Sequence, residues 1–105
     1  MARFDICENT GANKARAPFL VDVQNDFIQP LATRIVIPLV ATTAISTKPT
    51  EDVFPIVLVN GKQHYLFTPE LAAAPIIRLK VVVGSATAED RDKIQNALDK
   101  VFGGY

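Results

Sequence analysis

The sequence predicts a mainly β protein, an antiparallel sheet with one α-helix at its C-terminal end. Three observations carry this prediction. Two strand-like runs lie within residues 19–39, an Asn60-Gly61 pair separates two further strand-like segments, and an amphipathic helix pattern comes last. Because the strands follow one another without alternating βαβ units, we expect an antiparallel sheet with the helix on it or at its edge.

Residues 19–39 read FLVDVQNDFIQPLATRIVIPL, which predicts two strands joined by a polar elbow. In the first run the residue types alternate with the period of two of a strand that has one buried face. The buried side would carry Phe19, Val21 and Val23, and the solvent side Leu20, Asp22 and Gln24. Residues 34–39 are almost all apolar, which predicts a central strand covered on both faces. Pro38 is expected to end its ladder because proline has no N–H to donate.

Asn60-Gly61 gives the clearest local prediction. Strand-like segments at residues 54–59 and 62–67 flank this pair, and both of its members tolerate the positive φ of a type I′ turn. A β-hairpin is therefore predicted here.

The other segments are assigned from alternation, turn residues and apolar density. They are a first strand at residues 3–7, a mobile solvated loop at 8–18, an irregular crossing at 40–52, a tight alanine-rich turn at 68–75 and a core strand at 76–83.

The last element is predicted to be an amphipathic helix. Thr87 is a candidate N-cap, acidic residues follow it, and Lys100 lies near the far end, where a positive charge suits the helix dipole. The apolar stripe consists of Ile94, Ala97, Leu98 and Val101. Gly103 and Gly104 are expected to end the helix.

Length and composition bound the function. With 105 residues, we expect one domain over residues 1–105. Eleven basic and eleven acidic side chains cancel, so no broad positive charge would attract nucleic acid, and we expect no direct binding to it. A single cysteine, with no segment resembling a signal peptide or a membrane span, predicts a cytoplasmic location and no membrane association.

Few residues are candidates for catalysis. His64 is the only histidine and is expected to face solvent on a hairpin strand, while Cys7 should lie passively in the first strand. Asp22 and Asp26 could form a carboxylate pair, but a solvent-facing strand position and a turn acceptor explain them better. One cysteine and one histidine fall short of a metal site, and no phosphate-binding glycine loop is present. We expect no catalytic residue, metal or cofactor.

Several blocks in the same order resemble the CcdB toxins of bacterial toxin–antitoxin modules. They are FLVDVQNDFI, TRIVIPL, FPIVLVNGKQHYLFTPELAAAP and DRDKIQNALDKVFGGY. The resemblance implies a bent, SH3-like barrel of the CcdB and MazF superfamily with a small extra sheet near the hairpin. It also implies a symmetric homodimer that binds the A subunit of DNA gyrase, traps the cleaved-DNA complex and is neutralised by a CcdA-like antitoxin.

The resemblance also places the gyrase-binding surface. It carries over to the elbow, the outer face of the helix and the tail, that is to Phe27, Ile28, Asn96, Asp99, Phe102, Gly103, Gly104 and Tyr105. Exposed aromatic residues beside glycines suit an interface anchor. The best-known member of the family has tryptophan in the place of Gly103 and a small aliphatic residue in the place of Tyr105. In the simpler interpretation, Phe102 closes the apolar stripe and Tyr105 lies in solvent.

Two other functions stay open. MazF toxins with the same kind of barrel are metal-independent endoribonucleases that use a basic residue near the strand corresponding to Arg34. The chain could also be a non-toxic dimeric relative that keeps only the antitoxin interface.

Overall fold

The computed structural model describes residues 1–26 and 32–103. These residues form β1 (Asp5–Glu8), β2 (Phe19–Asp22), β3 (Thr33–Ala41), β4 (Ile56–Val59), β5 (Lys62–Leu66), β6 (Ala72–Pro75), β7 (Val82–Ser85) and α1 (Ala88–Val101). Single-turn 3-10 helices lie at Thr42–Ala44, Thr68–Glu70 and Ile76–Arg78.

The strands form one antiparallel sheet organised around β3. On one side of β3 lies β2, with Val21 opposite Ile37. On the other side, β6 pairs with the first half of β3 and β5 with its last three residues. The path through the sheet is β4-β5-β3-β2-β1-β7. The sheet curls into a half-barrel with one C-terminal helix, which confirms the mainly β fold class.

The main core lies between the sheet and α1. Its buried members are Ile6, Val21, Val23, Ile37, Leu39, Val57, Val59, Leu66, Ala86, Ile94 and Ala97. A smaller buried cluster contains Cys7, Val36 and Leu79, and since Cys7 and Val36 alternate with Ile6 and Ile37, it lies on the opposite face of the sheet. The central strand is thus covered on both faces from Val36 to Val40, as predicted, whereas Ile35 is exposed.

Pro38 does not end the ladder of β3, contrary to expectation. The strand continues to Ala41, and Pro38 lies between the segment paired with β6 and the segment paired with β5. Its carbonyl accepts a hydrogen bond from the Phe67 N–H at 2.9 Å. Because the N–H and C=O of a strand residue point to the same side, the missing donor falls where the partner strands change.

Two further predictions for the second half of the chain are wrong. Residues 68–75 are not only a turn, because β6 forms within them and pairs with Val36 and its neighbours. Residues 76–83 are not a core strand: they contain a 3-10 turn at Ile76–Arg78, and β7 begins only at Val82. Leu79 is the buried aliphatic residue of this stretch. Apolar density predicts a strand but does not distinguish a central position from an edge.

The first strand and loop also differ from expectation. β1 begins at Asp5 because Phe4 has a left-handed φ of 73°. The loop after it is exposed at residues 12–16, but Asn9 is buried and its Nδ2 donates to the Ala17 carbonyl at 2.7 Å. Both ends of this loop are therefore fixed against the fold.

The local turn and cap predictions are confirmed. Asn60 and Gly61 have φ values of 51° and 78°, the two positive angles that a type I′ turn requires. Thr87 caps α1, since its hydroxyl oxygen accepts the Asp90 N–H at 3.1 Å.

Replacing Gly61 with alanine should destabilise the protein through the backbone alone. A Cβ at Gly61 would meet no atom within 4 Å, so the cost comes from the positive φ. We expect the free energy of unfolding, measured by urea denaturation, to fall by about 1 kcal/mol. Gly84→Ala is the matched control, because a Cβ there also meets nothing within 4 Å and φ is not positive. Equal losses in the two variants would contradict a left-handed requirement at Gly61.

Candidate binding surface at the end of the helix

The helix α1 ends in an exposed aromatic side chain. Phe102 is the C-cap, and its N–H donates to the Leu98 carbonyl at 3.0 Å. Its side chain is 70% exposed, so it does not close the apolar stripe against the core. Gly103 follows with φ of +76°, the left-handed conformation that commonly ends a helix. The chain thus presents Phe102 to solvent and turns directly after it.

An apolar groove of about 350 Å³ lies beside Phe102. It is lined by Val23, Ile35, Leu71, Gln95, Leu98, Asp99 and Phe102. Ile35 is 39% exposed, although Arg34 and Val36 on either side of it in β3 are buried. A groove with this lining suits an apolar protein surface better than a polar small molecule.

A second cleft, of about 460 Å³, lies on the other side of Asp99. It is lined by Glu51, Asp52, Pro55, Ile56, Lys93, Asn96, Asp99 and Lys100. Asn96 and Asp99 are exposed, and the lining carries charges of both signs. Because Asp99 lines both cavities, it lies on the boundary between the polar cleft and the apolar groove.

Half of the predicted binding residues can be placed. Asn96, Asp99, Phe102 and Gly103 lie together in the last turns of α1 and directly after it. Phe27, Ile28, Gly104 and Tyr105 lie outside the described residues.

The sequence did not reveal the apolar wall of the groove. Ile35 belongs to a continuous apolar run, so no alternation distinguished it from its buried neighbours. Leu71 lies directly before β6, in a segment that the sequence predicts to be a turn. Ile35 lies opposite Ala73 of β6, and this strand pairing leaves its side chain exposed on the sheet face beside the end of α1.

A buried ion pair lies under this surface. Asp22 is fully buried and Arg34 is 3% exposed. The predicted solvent-facing position of Asp22 is therefore wrong. Arg34 Nε donates to Asp22 Oδ2 at 2.6 Å, and Arg34 Nη2 donates to Asp22 Oδ1 at 3.1 Å. The Gln24 N–H also donates to Asp22 Oδ1, at 2.9 Å. Gln24 is buried too, and its Oε1 accepts the Ile35 N–H at 3.1 Å. Asp22 and Gln24, which alternate with apolar residues in the sequence, are thus buried and hydrogen-bonded inside the fold.

Asp26 extends this pair toward the N-terminal segment. Arg34 Nη2 donates to Asp26 Oδ1 at 2.8 Å, and the Arg3 N–H donates to both Asp26 carboxylate oxygens, at 3.1 and 3.2 Å. These bonds hold the pKa of Asp26 below its usual range, with the Arg34 hydrogen bond as the largest cause. The hydrogen bond to Asp22 raises the pKa of Arg34. The interpretation of Asp22 and Asp26 as structural rather than catalytic fits these bonds.

Arg3 continues the network to the helix. Its Nη2 donates to Gln95 Oε1 at 2.8 Å, and Gln95 Nε2 donates to Asp99 Oδ1 at 3.2 Å. Arg3 also lies over the Phe4 ring, with 4.8 Å between its guanidinium carbon and the ring centroid. A continuous set of polar contacts therefore joins the buried Arg34 to Asp99 at the candidate surface.

The remaining catalytic candidates lie in the interior. His64 is 4% exposed, so its predicted solvent-facing position is wrong. Its ring packs edge-on against Phe19 with centroids 5.5 Å apart, and its Nδ1 lies 3.0 Å from the Lys62 carbonyl. Burial, with the nearby charge of Asp22 as a smaller cause, raises the pKa of the Cys7 thiol to about 11, so at neutral pH it is protonated.

Clusters of metal ligands and membrane-spanning helices are both absent from residues 1–26 and 32–103. They contain no group of three or more histidine, cysteine, aspartate or glutamate side chains that could hold a metal ion. Within the same residues, no helix has the length and apolarity needed to cross a bilayer.

Comparison with known protein families agrees with the fold and with the blocks identified in the sequence. The family model described as CcdB protein matches residues 3–104, nearly the whole chain. The chain therefore belongs to the CcdB family, whose members are toxins of toxin–antitoxin modules.

Proposed function

We propose that this protein binds the A subunit of DNA gyrase, traps the complex in which DNA is cleaved, and is neutralised by a CcdA-like antitoxin. Membership of the CcdB family supports a toxin of this kind. The observation that carries the proposal is the exposed Phe102 at the end of α1, between the apolar groove and the turn at Gly103. The function is that of a binding-type inhibitor, with the cytoplasm as its place of action.

Phe102 has the properties of an interface anchor. Binding hot spots are commonly large aromatic side chains surrounded by residues that exclude water. The apolar groove lies beside Phe102. Asp99 borders this groove and, together with Asn96, also lines the polar cleft. This pattern, an aromatic centre with a polar rim, suits binding to a protein surface.

The conformation of Gly103 suits a glycine in the place of the tryptophan of the best-known relative. With φ of +76°, position 103 favours glycine, and a tryptophan there would be strained even though the space around it is open. We therefore assign the anchoring role to Phe102, one residue earlier.

A second copy of the chain is the proposed occupant of the apolar groove. The groove contains half-buried Leu98 and Leu71 and the exposed Ile35, and a two-fold interface buries the same patch on both protomers. Because Phe102 also borders this groove, dimerisation would bring the two tails close together. A single gyrase dimer could then meet two anchors at once.

The antitoxin is proposed to bind as a flexible segment. CcdA-like partners carry a disordered arm, and a segment that orders on binding can cover a large surface while costing conformational entropy. The charge balance of the toxin favours such a protein partner over direct contact with nucleic acid.

The ribonuclease alternative finds little support in the described residues. Arg34, the residue on which it depends, is 3% exposed and binds two carboxylates. A guanidinium engaged in this way is poorly placed to meet a phosphate. The non-toxic alternative differs from our proposal in one respect, because its C-terminal tail would not bind gyrase.

The first prediction tests the role of Phe102. Phe102→Ala should weaken binding to the breakage-reunion domain of gyrase A by about 1 to 3 kcal/mol, because it removes an interface aromatic. Calorimetry measures the affinity, and accumulation of cleaved plasmid with purified gyrase measures poisoning. Ile77→Ala is the matched control, since Ile77 is also 70% exposed but lies outside the surface around α1.

Equal binding and poisoning by the Phe102→Ala variant and the parent would contradict the anchoring role. Induction in a sensitive bacterium separates the alternatives. Growth arrest with a DNA-damage response is expected from gyrase poisoning. Arrest with loss of messenger RNA would favour the ribonuclease, and normal growth would favour the non-toxic relative.

The second prediction tests the dimer. The parent protein should be a dimer by light scattering at micromolar concentration, and Ile35→Lys should produce monomers because it places a charge in the apolar groove. Ile77→Lys, at an exposed site outside the groove, should stay dimeric. Circular dichroism confirms that both variants fold. A parent protein that remains monomeric at increasing concentration would contradict the proposed interface.

A further inference from the structure

Two of the edge strands of the sheet, β4 and β7, differ in how their outer sides are covered; β6, which pairs with β3 alone among the described strands, is a third. β4 and β7 lie at opposite ends of the strand order, so each has one side without a strand partner among the described residues. Unpaired strand edges can bind additional strands, and proteins commonly protect them. Whether each edge is protected therefore indicates where another chain could add.

The edge of β4 is protected by α1. Asp90 Oδ2 accepts the Leu58 N–H at 3.0 Å, and Lys93 Nζ donates to the Ile56 carbonyl at 3.4 Å. Asp90 and Lys93 are also 3.7 Å apart as an ion pair. These side chains occupy the backbone groups that a further strand would need.

The edge of β7 has no comparable cover. The Val81 carbonyl accepts the Glu8 N–H and the Ala86 N–H donates to the Phe4 carbonyl, both at 2.9 Å, so these groups point toward the β1 side. Since successive strand residues point their backbone groups to opposite sides, Val82 and Ser85 direct theirs away from β1. Arg91 of α1 donates to the Ser85 hydroxyl at 3.2 Å and to the Ala86 carbonyl at 2.9 Å, beside this edge. Among the hydrogen bonds of the described residues, none engages the outward backbone groups of Val82 or Ser85.

Exposed aliphatic side chains accompany this edge. Val81 and Val82 are 49% and 48% exposed, and Ile76 and Ile77 just before them are 43% and 70% exposed. A cleft of about 260 Å³ separates the 83–87 segment from residues 58–61 of the hairpin. Leu58, 45% exposed, lies on the far side of this cleft. An added segment would find apolar side chains to pack against.

The charge of the same segment indicates the chemistry of a partner. Arg78 and Lys80 alternate with the aliphatic residues and are exposed. Neither belongs to any of the ion pairs found in residues 1–26 and 32–103. Glu8, bonded to Val81 through its backbone, makes no ion pair with them either. Two cations without a partner, beside apolar side chains, complement a segment that alternates apolar and acidic residues.

We propose that the outer edge of β7 binds an extended segment of a partner protein, with alternating apolar and acidic residues, by addition of a β-strand. Backbone hydrogen bonds at Val82 and Ser85 would supply affinity, while Arg78 and Lys80 would select acidic side chains. This surface is independent of the proposed gyrase contact. β7 precedes the first turn of α1, and the 14 residues of the helix separate it from Phe102 by about 20 Å at 1.5 Å per residue.

The test uses the full-length protein and a fluorescein-labelled ten-residue peptide that alternates valine with glutamate. A peptide with lysine in place of glutamate is the charge control. An acidic peptide with N-methylated backbone nitrogens is the control for strand pairing. Fluorescence anisotropy gives the affinities, and amide chemical shifts in the labelled protein locate the site.

We expect the acidic peptide to bind about tenfold more tightly than the lysine peptide at low salt, since two exposed charge pairs contribute modestly. The largest shifts should fall on residues 81–86. The double variant Arg78→Glu/Lys80→Glu should lose about the same factor. The control Lys14→Glu/Lys48→Glu makes the same change in net charge at exposed lysines elsewhere and should bind like the parent.

Three results would overturn the proposal. One is the absence of binding at millimolar peptide, and another is equal binding of the acidic, lysine and N-methylated peptides. The third is shifts at residues 81–86 that depend on protein concentration alone, which would assign the edge to a second copy of the chain.

Discussion

The ion pair between Arg34 and Asp22 constrains this fold more than any other polar contact in the described chain. Both groups are almost completely buried, and a buried charge is tolerated only when it is paired and hydrogen-bonded. The two contacts between them require β2 and β3 to keep the register that places Asp22 opposite Val36. β3 is also where β2, β5 and β6 all pair, so fixing its register fixes the centre of the sheet.

The same arginine connects the interior to the candidate binding surface. Asp26 bridges Arg34 to the backbone of Arg3, and the side chain of Arg3 reaches Gln95 on α1. Gln95 then contacts Asp99, at the boundary between the apolar groove and the polar cleft. The last turns of the helix are thus held against the sheet by polar contacts as well as by Ile94 and Ala97 in the core. An anchor such as Phe102 benefits from this support, because a fixed anchor loses less entropy on binding.

Sequence patterns predicted what local geometry decides. Positive φ at Asn60 and Gly61, the cap at Thr87 and the left-handed Gly103 need only neighbouring residues, and the structure has all three. The burial of Asp22 and His64 depends on side chains far away in sequence, so alternation for Asp22 and the neighbouring residues for His64 predicted solvent exposure wrongly. The groove beside Phe102 and the contrast between the edges of β4 and β7 both depend on where α1 lies against the sheet. No pattern within a single segment contains that information.

The free energy of unfolding of two matched variants tests the central role of the ion pair most directly. Asp22→Asn leaves Arg34 with a reduced counter-charge in the interior, and about 3 to 5 kcal/mol should be lost in urea denaturation at neutral pH. Asp26→Asn removes the other carboxylate from the same arginine, but its side chain is 53% exposed, so a much smaller loss than that of Asp22→Asn is expected. If one of the two variants is already unfolded without urea, it is the variant that has lost more free energy of unfolding. Equal stability of the two variants, or an Asp22→Asn variant as stable as the parent, would contradict the claim that the buried pair holds the sheet in register.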